Sequence, residues 1–167
     1  EQGIQADLTT VKKLVEEKEY LKALYLLEIM PENIESATLK YRCKLEIFEN
    51  SAIRYFDVIR EKYRDDEQYL SVMESIMYLV LASDSKADAV IKNGLDAAVS
   101  LLRSRRNGDY RIHEAMGVLC YRYGESFKRK GVQALEDCIP VAKLNRVGDD
   151  VIKHLEEQVK IYRERLD

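Results

Sequence analysis

The amino-acid sequence predicts an all-α fold. Only two prolines, Pro31 and Pro140, and seven glycines interrupt its 167 residues. Between them apolar residues recur three or four positions apart, and no stretch alternates apolar and polar residues as a half-buried strand does. We therefore expect eight or nine helices in a single domain over residues 1–167, with antiparallel hairpins stacked as a short solenoid or bundle.

The first two hairpins are predicted over residues 7–30 and 33–63. Asp7 or Thr9 can cap the first helix, and Pro31 ends the second. Asn33 can cap the third helix, which runs to about residue 48, and the fourth begins near residue 50. The residues expected to face inward are Leu8, Val11, Leu14, Val15, Tyr20, Ala23, Leu24, Leu27, Met30, Ile34, Ala37, Tyr41, Leu45, Phe48, Ala52, Ile53, Phe56, Ile59 and Tyr63.

The third hairpin is predicted over residues 67–104. Its first helix, to residue 82, is apolar on nearly its whole circumference, which is typical of a helix buried on several sides. We therefore expect this to be the central and most buried helix, with Met73, Ile76, Met77 and Val80 nearly inaccessible. A sixth helix follows to about residue 104, and Gly94 either divides it or only weakens it.

The last hairpin is predicted over residues 109–145, with a capping helix at 149–166. Asp109 can cap a seventh helix that continues to about Lys130, where Gly131 would end it. An eighth helix then reaches about residue 145, and Pro140 should kink it or start a new turn.

A weak internal repeat accompanies these hairpins. Tyr20-x-x-Ala23-x-x-x-Leu27-x-x-Met30 has an echo at Ala52-x-x-x-Phe56-x-x-Ile59, and a partial one at Gly124-x-x-Phe127 with Gly131-x-x-Ala134. The first hairpin, which has this aromatic, small, large order and a proline after its second helix, resembles the tetratricopeptide repeat family. The family's tryptophan is missing, and its leucine–glycine pair has a counterpart only at Met116-Gly117 or Tyr123-Gly124. The resemblance implies a right-handed solenoid whose concave groove binds a peptide or a partner helix.

Composition limits the classes of function. The hydrophobic fraction is 46% and the net charge is −3, so we expect good solubility and no general attraction to nucleic acid or membranes. No apolar run is long enough to span a bilayer, and no signal peptide is evident, although a start at Glu1 leaves open a processed product or an excised domain. Three widely spaced cysteines, Cys43, Cys120 and Cys138, are expected to be reduced core thiols of a cytoplasmic or nuclear protein.

The motifs of catalysis and metal binding are missing from the sequence. Its two histidines, His113 and His154, have no partner at ligand spacing. Cys120 lies about 10 Å along a helix from His113, too far for a nucleophile–base hydrogen bond. No phosphate-binding loop or nucleophile elbow is present. We expect no enzymatic activity, no catalytic residue, no metal and no cofactor, although sequence spacing cannot reveal a pocket in a helical bundle.

Positive charge is concentrated between residues 103 and 131. This basic region has eight basic and three acidic residues in a chain of net charge −3. Arginine predominates, and its planar fork suits carboxylates and phosphates. The alternative is that these cations only solvate helix ends, where the helix dipole favours them. The candidate partner-binding residues are Arg105, Arg106, Arg111, Tyr121, Arg122 and Arg129.

Two binding functions remain open from the sequence, beside a third hypothesis of an enzyme built on a helical bundle. The first is an adaptor or scaffold module that binds a protein or peptide partner through its helical-repeat surface, and an acidic partner is one candidate. The second is a nucleic-acid-associated protein that uses the basic region, where Tyr121 and Tyr123 lie on either side of Arg122. Aromatic residues interleaved with basic ones are used both by single-strand nucleic-acid surfaces and by protein interfaces.

Overall fold

The computed structural model describes residues 7–104 and 108–166. Most of these residues lie in helices, and none of them lies in a strand. The helices are α1 (Leu8–Glu16), α2 (Tyr20–Ile29), α3 (Ile34–Ile47), α4 (Glu49–Lys62), α5 (Tyr69–Ala82), α6 (Asp88–Leu102), α7 (Tyr110–Tyr123), α8 (Glu125–Leu144) and α9 (Asp149–Glu164). The predicted all-α class with eight or nine helices is confirmed for this part of the chain.

The chain divides into two compact units, one up to Ile76 and the other from Met77 onward. In the first unit α1 packs on α2, α2 on α3, and α3 on α4. In the second unit α6 packs on α7, α7 on α8, and α8 on α9. Within α1–α4 and within α6–α9, helices adjacent in sequence are thus also adjacent in space, and their short connections are those of helical hairpins.

Side-chain caps stabilise the starts of α1 and α3 at the residues that the sequence predicts. The carboxylate of Asp7 accepts a 2.7 Å hydrogen bond from the Thr10 amide at the start of α1. Asn33 and Ser36 form a reciprocal capping box at the start of α3. A core cluster joins α1, α2 and α3 through Val11, Val15, Ala23, Leu24, Leu26, Leu27 and Cys43.

The prediction that the fifth helix is the most buried one is wrong. Met73, Ile76, Met77 and Val80 are inaccessible, as expected. However, α6 buries more of its residues, namely Val90, Ile91, Asn93, Gly94, Leu95, Ala97, Ala98 and Leu101. Gly94 does not divide α6, which is continuous over Asp88–Leu102. A Cβ at Gly94 would lie 2.8 Å from Cγ1 of Val80. The glycine provides room for a close neighbour instead of ending a helix.

The predicted boundary between the seventh and eighth helices is also wrong. α7 ends at Tyr123, Gly124 separates the two helices in an extended conformation, and α8 begins at Glu125. Gly131 therefore lies inside α8, which continues through Pro140 to Leu144. The reason is a close approach of backbones: a Cβ on Gly131 would lie 2.6 Å from the carbonyl oxygen of Gly117. A Cβ on Gly117 would likewise lie 2.8 Å from the carbonyl oxygen of Gly131.

Candidate interaction surfaces

In the first unit, α2 has a ridge of large apolar side chains that are exposed to solvent. Leu21, Tyr25 and Ile29 are 64%, 67% and 59% exposed. Spaced four residues apart, they follow one stripe of the helix over about 12 Å. The opposite side of α2 contributes Ala23, Leu24, Leu26 and Leu27 to the core. α2 is therefore apolar all round but covered on one side only. We call Leu21, Tyr25 and Ile29 the α2 ridge.

An open groove of about 500 Å³ runs beside the α2 ridge. Leu14 of α1 forms one wall, and the ridge residues with Leu26 form the rest. The one charged side chain among the residues lining this groove is Lys22. A contiguous apolar surface with a cation at its edge is typical of a protein-binding site and not of a solvated helix face.

The basic region does not form one continuous site among the described residues. Arg105 and Arg106 lie outside the residues that the structure describes. Arg111 is exposed and forms an ion pair with Asp109, with 2.8 Å between Nη2 and Oδ2. Its Nε also donates to Asp109 at 3.1 Å, and this pairing raises the pKa of the guanidinium further above its usual value. Arg129 is exposed on α8.

Arg122, one of the candidate partner-binding residues, is half-buried and bonds to the backbone of its own chain. Its guanidinium donates to the carbonyl oxygens of Leu81, Ser83 and Ser85, each at 3.1 Å, and to Val80 at 3.5 Å. These carbonyls are at the end of α5 and in the segment after it, where no amide of a following helical turn can donate to them. The arginine of α7 thus satisfies the end of α5 and adds a favourable charge to its dipole.

Replacing Arg122 by glutamine should lower the free energy of unfolding by about 2 kcal/mol, because the carbonyl oxygens then lose their hydrogen bonds from a charged guanidinium. Urea denaturation followed by circular dichroism measures this loss. Arg129→Gln is the matched control and should change stability by less than about 0.5 kcal/mol, since this side chain is exposed. Equal stability of the two variants would show that the Arg122 contacts contribute nothing.

Tyr121 belongs to a cluster of stacked rings and cations. Its ring stacks on Tyr162 of α9, with centroids 4.5 Å apart and an interplanar angle of 12°. Lys128 Nζ lies 5.0 Å from the centroid of Tyr121, and the Arg165 guanidinium lies 6.0 Å from that of Tyr162. The ring pair therefore joins α7 to α9 and has a cation near each of its two rings.

Two further cations, Arg129 and Lys130, follow Lys128 along α8. Lys130 Nζ lies 5.3 Å from the ring centroid of Phe127, which packs edge-on against Tyr123 at 4.8 Å. Arg129 is the exposed residue between Lys128 and Lys130. We call Tyr121, Tyr162, Lys128, Arg129, Lys130 and Arg165 the aromatic–basic cluster. It contains two of the predicted site residues, Tyr121 and Arg129.

A polar network in the first unit ties α3 and α4 to the turn before them. Tyr55 Oη donates to the Glu32 carboxylate, and Lys62 Nζ donates to the same group at 2.9 Å. Lys40 and Lys44 lie over the ring of Tyr55, at 5.6 and 5.4 Å from its centroid. Burial, together with the bond to Glu32, raises the pKa of Tyr55 far above its usual value. A phenol that resists ionisation is unsuited to act as a base, so this network is a structural tie.

The three cysteines are free and buried. Burial raises the pKa of Cys43 to about 11 and that of Cys138 to about 12, and it also raises the pKa of Cys120. Thiols with such pKa values have almost no thiolate at neutral pH, so they are poor nucleophiles. Within the described residues, no three histidine, cysteine or acidic side chains are arranged to hold a metal ion.

Sequence reasoning missed the α2 ridge because it assigned only one stripe of this helix. The sequence does carry a sign of this ridge, namely the scarcity of charge in α2, where Lys22 and Glu28 are the only charged residues among ten. A helix that is apolar on every side must be covered on every side, and the hairpin covers only one. The same argument was applied to the fifth helix, where the apolar run is longer.

Every helix in the part of the chain that the structure describes is too short or too polar to cross a lipid bilayer. The resemblance of the first hairpin to tetratricopeptide repeats stays a prediction. Comparison with protein-family models, with curated proteins and with solved structures finds no match for this chain.

Proposed function

We propose that this protein is a non-enzymatic adaptor or scaffold module whose first unit binds an amphipathic helix of another protein. The observation that carries the proposal is the α2 ridge, on which three large apolar side chains are each more than half exposed. Exposed single apolar residues are common on proteins, but an aligned set beside an apolar groove marks an interaction surface.

The spacing of the α2 ridge specifies the kind of partner. Leu21, Tyr25 and Ile29 project from one face of a helix, and Leu14 lies across the groove from them. A surface made of two helices accepts a third helix that inserts its own large side chains between theirs. About 12 Å of ridge corresponds to two to three turns of such a partner helix. Tyr25, at the centre, is the type of residue that dominates the binding energy of many interfaces.

Lys22 adds a charge preference. Its side chain lines the groove, where the remaining lining residues are leucines, a tyrosine and an isoleucine. A carboxylate on the flank of the partner helix would pair with this cation as the surrounding surface is buried. We therefore assign the occupant as a helix with a stripe of large apolar residues and an aspartate or glutamate beside it. Opposite charges at the edge of an interface favour one register and orientation over others.

The chemistry of the remaining residues supports an adaptor and not an enzyme. The buried thiols have raised pKa values, and the Tyr55 hydroxyl is held by Glu32. A cytoplasmic or nuclear location is part of the proposal, because three buried free thiols suit a reducing compartment.

Photocrosslinking identifies the occupant directly. A benzophenone amino acid replaces Tyr25 in the full chain, which is expressed and irradiated in its source cells, and the adducts are sequenced by mass spectrometry. Val58, which is 46% exposed in the same unit, gives the control position. The expected adduct at Tyr25 is an amphipathic segment of another protein with an acidic flank. Adducts only to the chain itself, or adducts identical to those at Val58, would overturn the proposal.

Substitution of the α2 ridge should separate binding from folding. We expect Leu21→Gln, Tyr25→Gln and Ile29→Gln together to weaken binding of the crosslinked segment, tested as a labelled peptide, by at least tenfold. Stability to urea should change by less than about 1 kcal/mol, because these side chains are already exposed in the free protein. Val58→Gln is the control and should leave affinity unchanged. A ridge variant that binds normally would place the site elsewhere.

A further inference from the structure

We propose that the aromatic–basic cluster of the second unit is a separate docking site for an acidic protein segment, one with a run of aspartate or glutamate side chains. This inference goes beyond the proposed function, since it concerns a different surface. The cluster combines three cations of the basic region, Lys128, Arg129 and Lys130, with Arg165 from the end of α9.

The fold gathers cations that are distant in sequence. Lys128, Arg129 and Lys130 occupy the first two turns of α8, and Arg165 follows the last turn of α9. Lys128 lies over the ring of Tyr121, and Arg165 lies over the ring of Tyr162 that stacks on it. Among the described residues, Glu125 is the acidic side chain bonded to these cations, 2.8 Å from Lys128 Nζ. Counted over the described residues only, one carboxylate against four cations leaves the cluster with a positive excess.

The rings hold the cations without using up their hydrogen-bond donors. A cation over an aromatic face is attracted by the ring electrons, and its N–H groups stay available at the sides. An ammonium has three donors and a guanidinium has five. Because the rings already restrict Lys128, Lys130 and Arg165, these side chains lose less conformational freedom when they bind an anion. This distinguishes the cluster from freely moving cations at helix ends.

The same geometry favours an acidic peptide over single-stranded nucleic acid. Binding of single strands depends on bases that stack on open aromatic faces. Here Tyr121 and Tyr162 cover one another at 4.5 Å, and Lys128 and Arg165 lie over these same two rings. The Tyr123 and Phe127 rings pack edge to face with each other. The stack therefore offers charge and not a stacking platform, so a single strand would keep only its phosphate contacts here and lose the base stacking that supports its binding.

Titration with two anionic probes of equal length tests the inference. The first is a fluorescein-labelled peptide of eight glutamates, and the second is a labelled oligonucleotide of eight thymidines. Fluorescence anisotropy of the full-length protein gives both affinities at two salt concentrations. We expect the peptide to bind more tightly than the oligonucleotide, with an affinity that falls as salt rises.

Charge reversal locates the site. Lys128→Glu with Arg165→Glu, which reverses the two cations over the stacked rings, should weaken peptide binding at least tenfold. The control pair, Lys86→Glu with Lys153→Glu, changes net charge equally at exposed positions of the same unit and should weaken binding less than twofold. Unchanged far-ultraviolet circular dichroism verifies that both variants fold. Equal losses in the two pairs, tighter binding of the oligonucleotide, or no binding of the peptide would each overturn the inference.

Discussion

Replacing Gly131 by alanine should destabilise the second unit by about 3 kcal/mol, and replacing it by valine should cost more. Alanine inside a helix normally stabilises it by about 1 kcal/mol relative to glycine. Here the added Cβ would lie 2.6 Å from the Gly117 carbonyl oxygen and 2.8 Å from the Tyr121 amide nitrogen. Both are backbone atoms, so α7 and α8 must separate, and the packing along their whole contact is lost. The expected sign is therefore opposite to helix propensity.

Gly124→Ala is the matched control for this substitution. Nothing lies within 4 Å of a Cβ built on Gly124, and its backbone is extended. It should change the free energy of unfolding by less than about 0.5 kcal/mol. Urea denaturation of both variants, followed by circular dichroism, gives the comparison. A Gly131→Ala protein more stable than the wild type would show that α7 and α8 do not approach as closely as described.

Replacing Ile76 by alanine should cost about 2–5 kcal/mol of folding free energy. The side chain is completely inaccessible, so the truncation removes buried methyl groups and leaves a cavity. The same chemical change at Ile161, which is 45% exposed, creates no cavity and should cost well under 1 kcal/mol. Denaturant melts of the two variants therefore isolate the contribution of burial. A loss below about 0.5 kcal/mol at Ile76 would identify this part of α5 as an accessible surface.

The sequence predicts helix ends well where a side chain or a missing amide sets them. Asp7 and Asn33 cap the helices that follow, and Pro31 comes two residues after the end of α2. These are local effects, visible within three or four positions of the sequence. The ends of α1 and α8 are harder to predict from the sequence. After each helix a left-handed residue, Lys18 with φ 61° and Arg146 with φ 57°, stands where a glycine is usual.

Glycine misleads where it serves tertiary packing. Gly94 and Gly131 were candidates for helix ends, yet each lies inside a helix and faces a close neighbour. A sequence cannot distinguish a glycine that permits a turn from one that permits two backbones to meet, because both need only the missing Cβ. The correct break, Gly124, was instead placed inside a helix.

The candidate sites were predicted only in part, for a related reason. Tyr121 has Lys128 near its ring, but the Tyr162 ring that stacks on it and the nearby Arg165 come from the end of a helix far away in sequence. In the sequence, nothing distinguishes Arg122 from the other arginines of the basic region. Only the position of the end of α5 shows that it is used internally. Which cations remain for a partner thus depends on tertiary contacts that periodicity does not report.

The contact between Gly117 and Gly131 also bears on how the second unit folds. The two glycines are close in sequence, so bringing them together closes a short loop at little entropic cost. Contacts between residues near in sequence form early in folding, ahead of those that join distant segments. The α7–α8 hairpin is therefore suited to act as a folding nucleus, on which α9 can dock through Tyr162. The glycines would then influence the rate at which the protein folds as well as the stability it reaches.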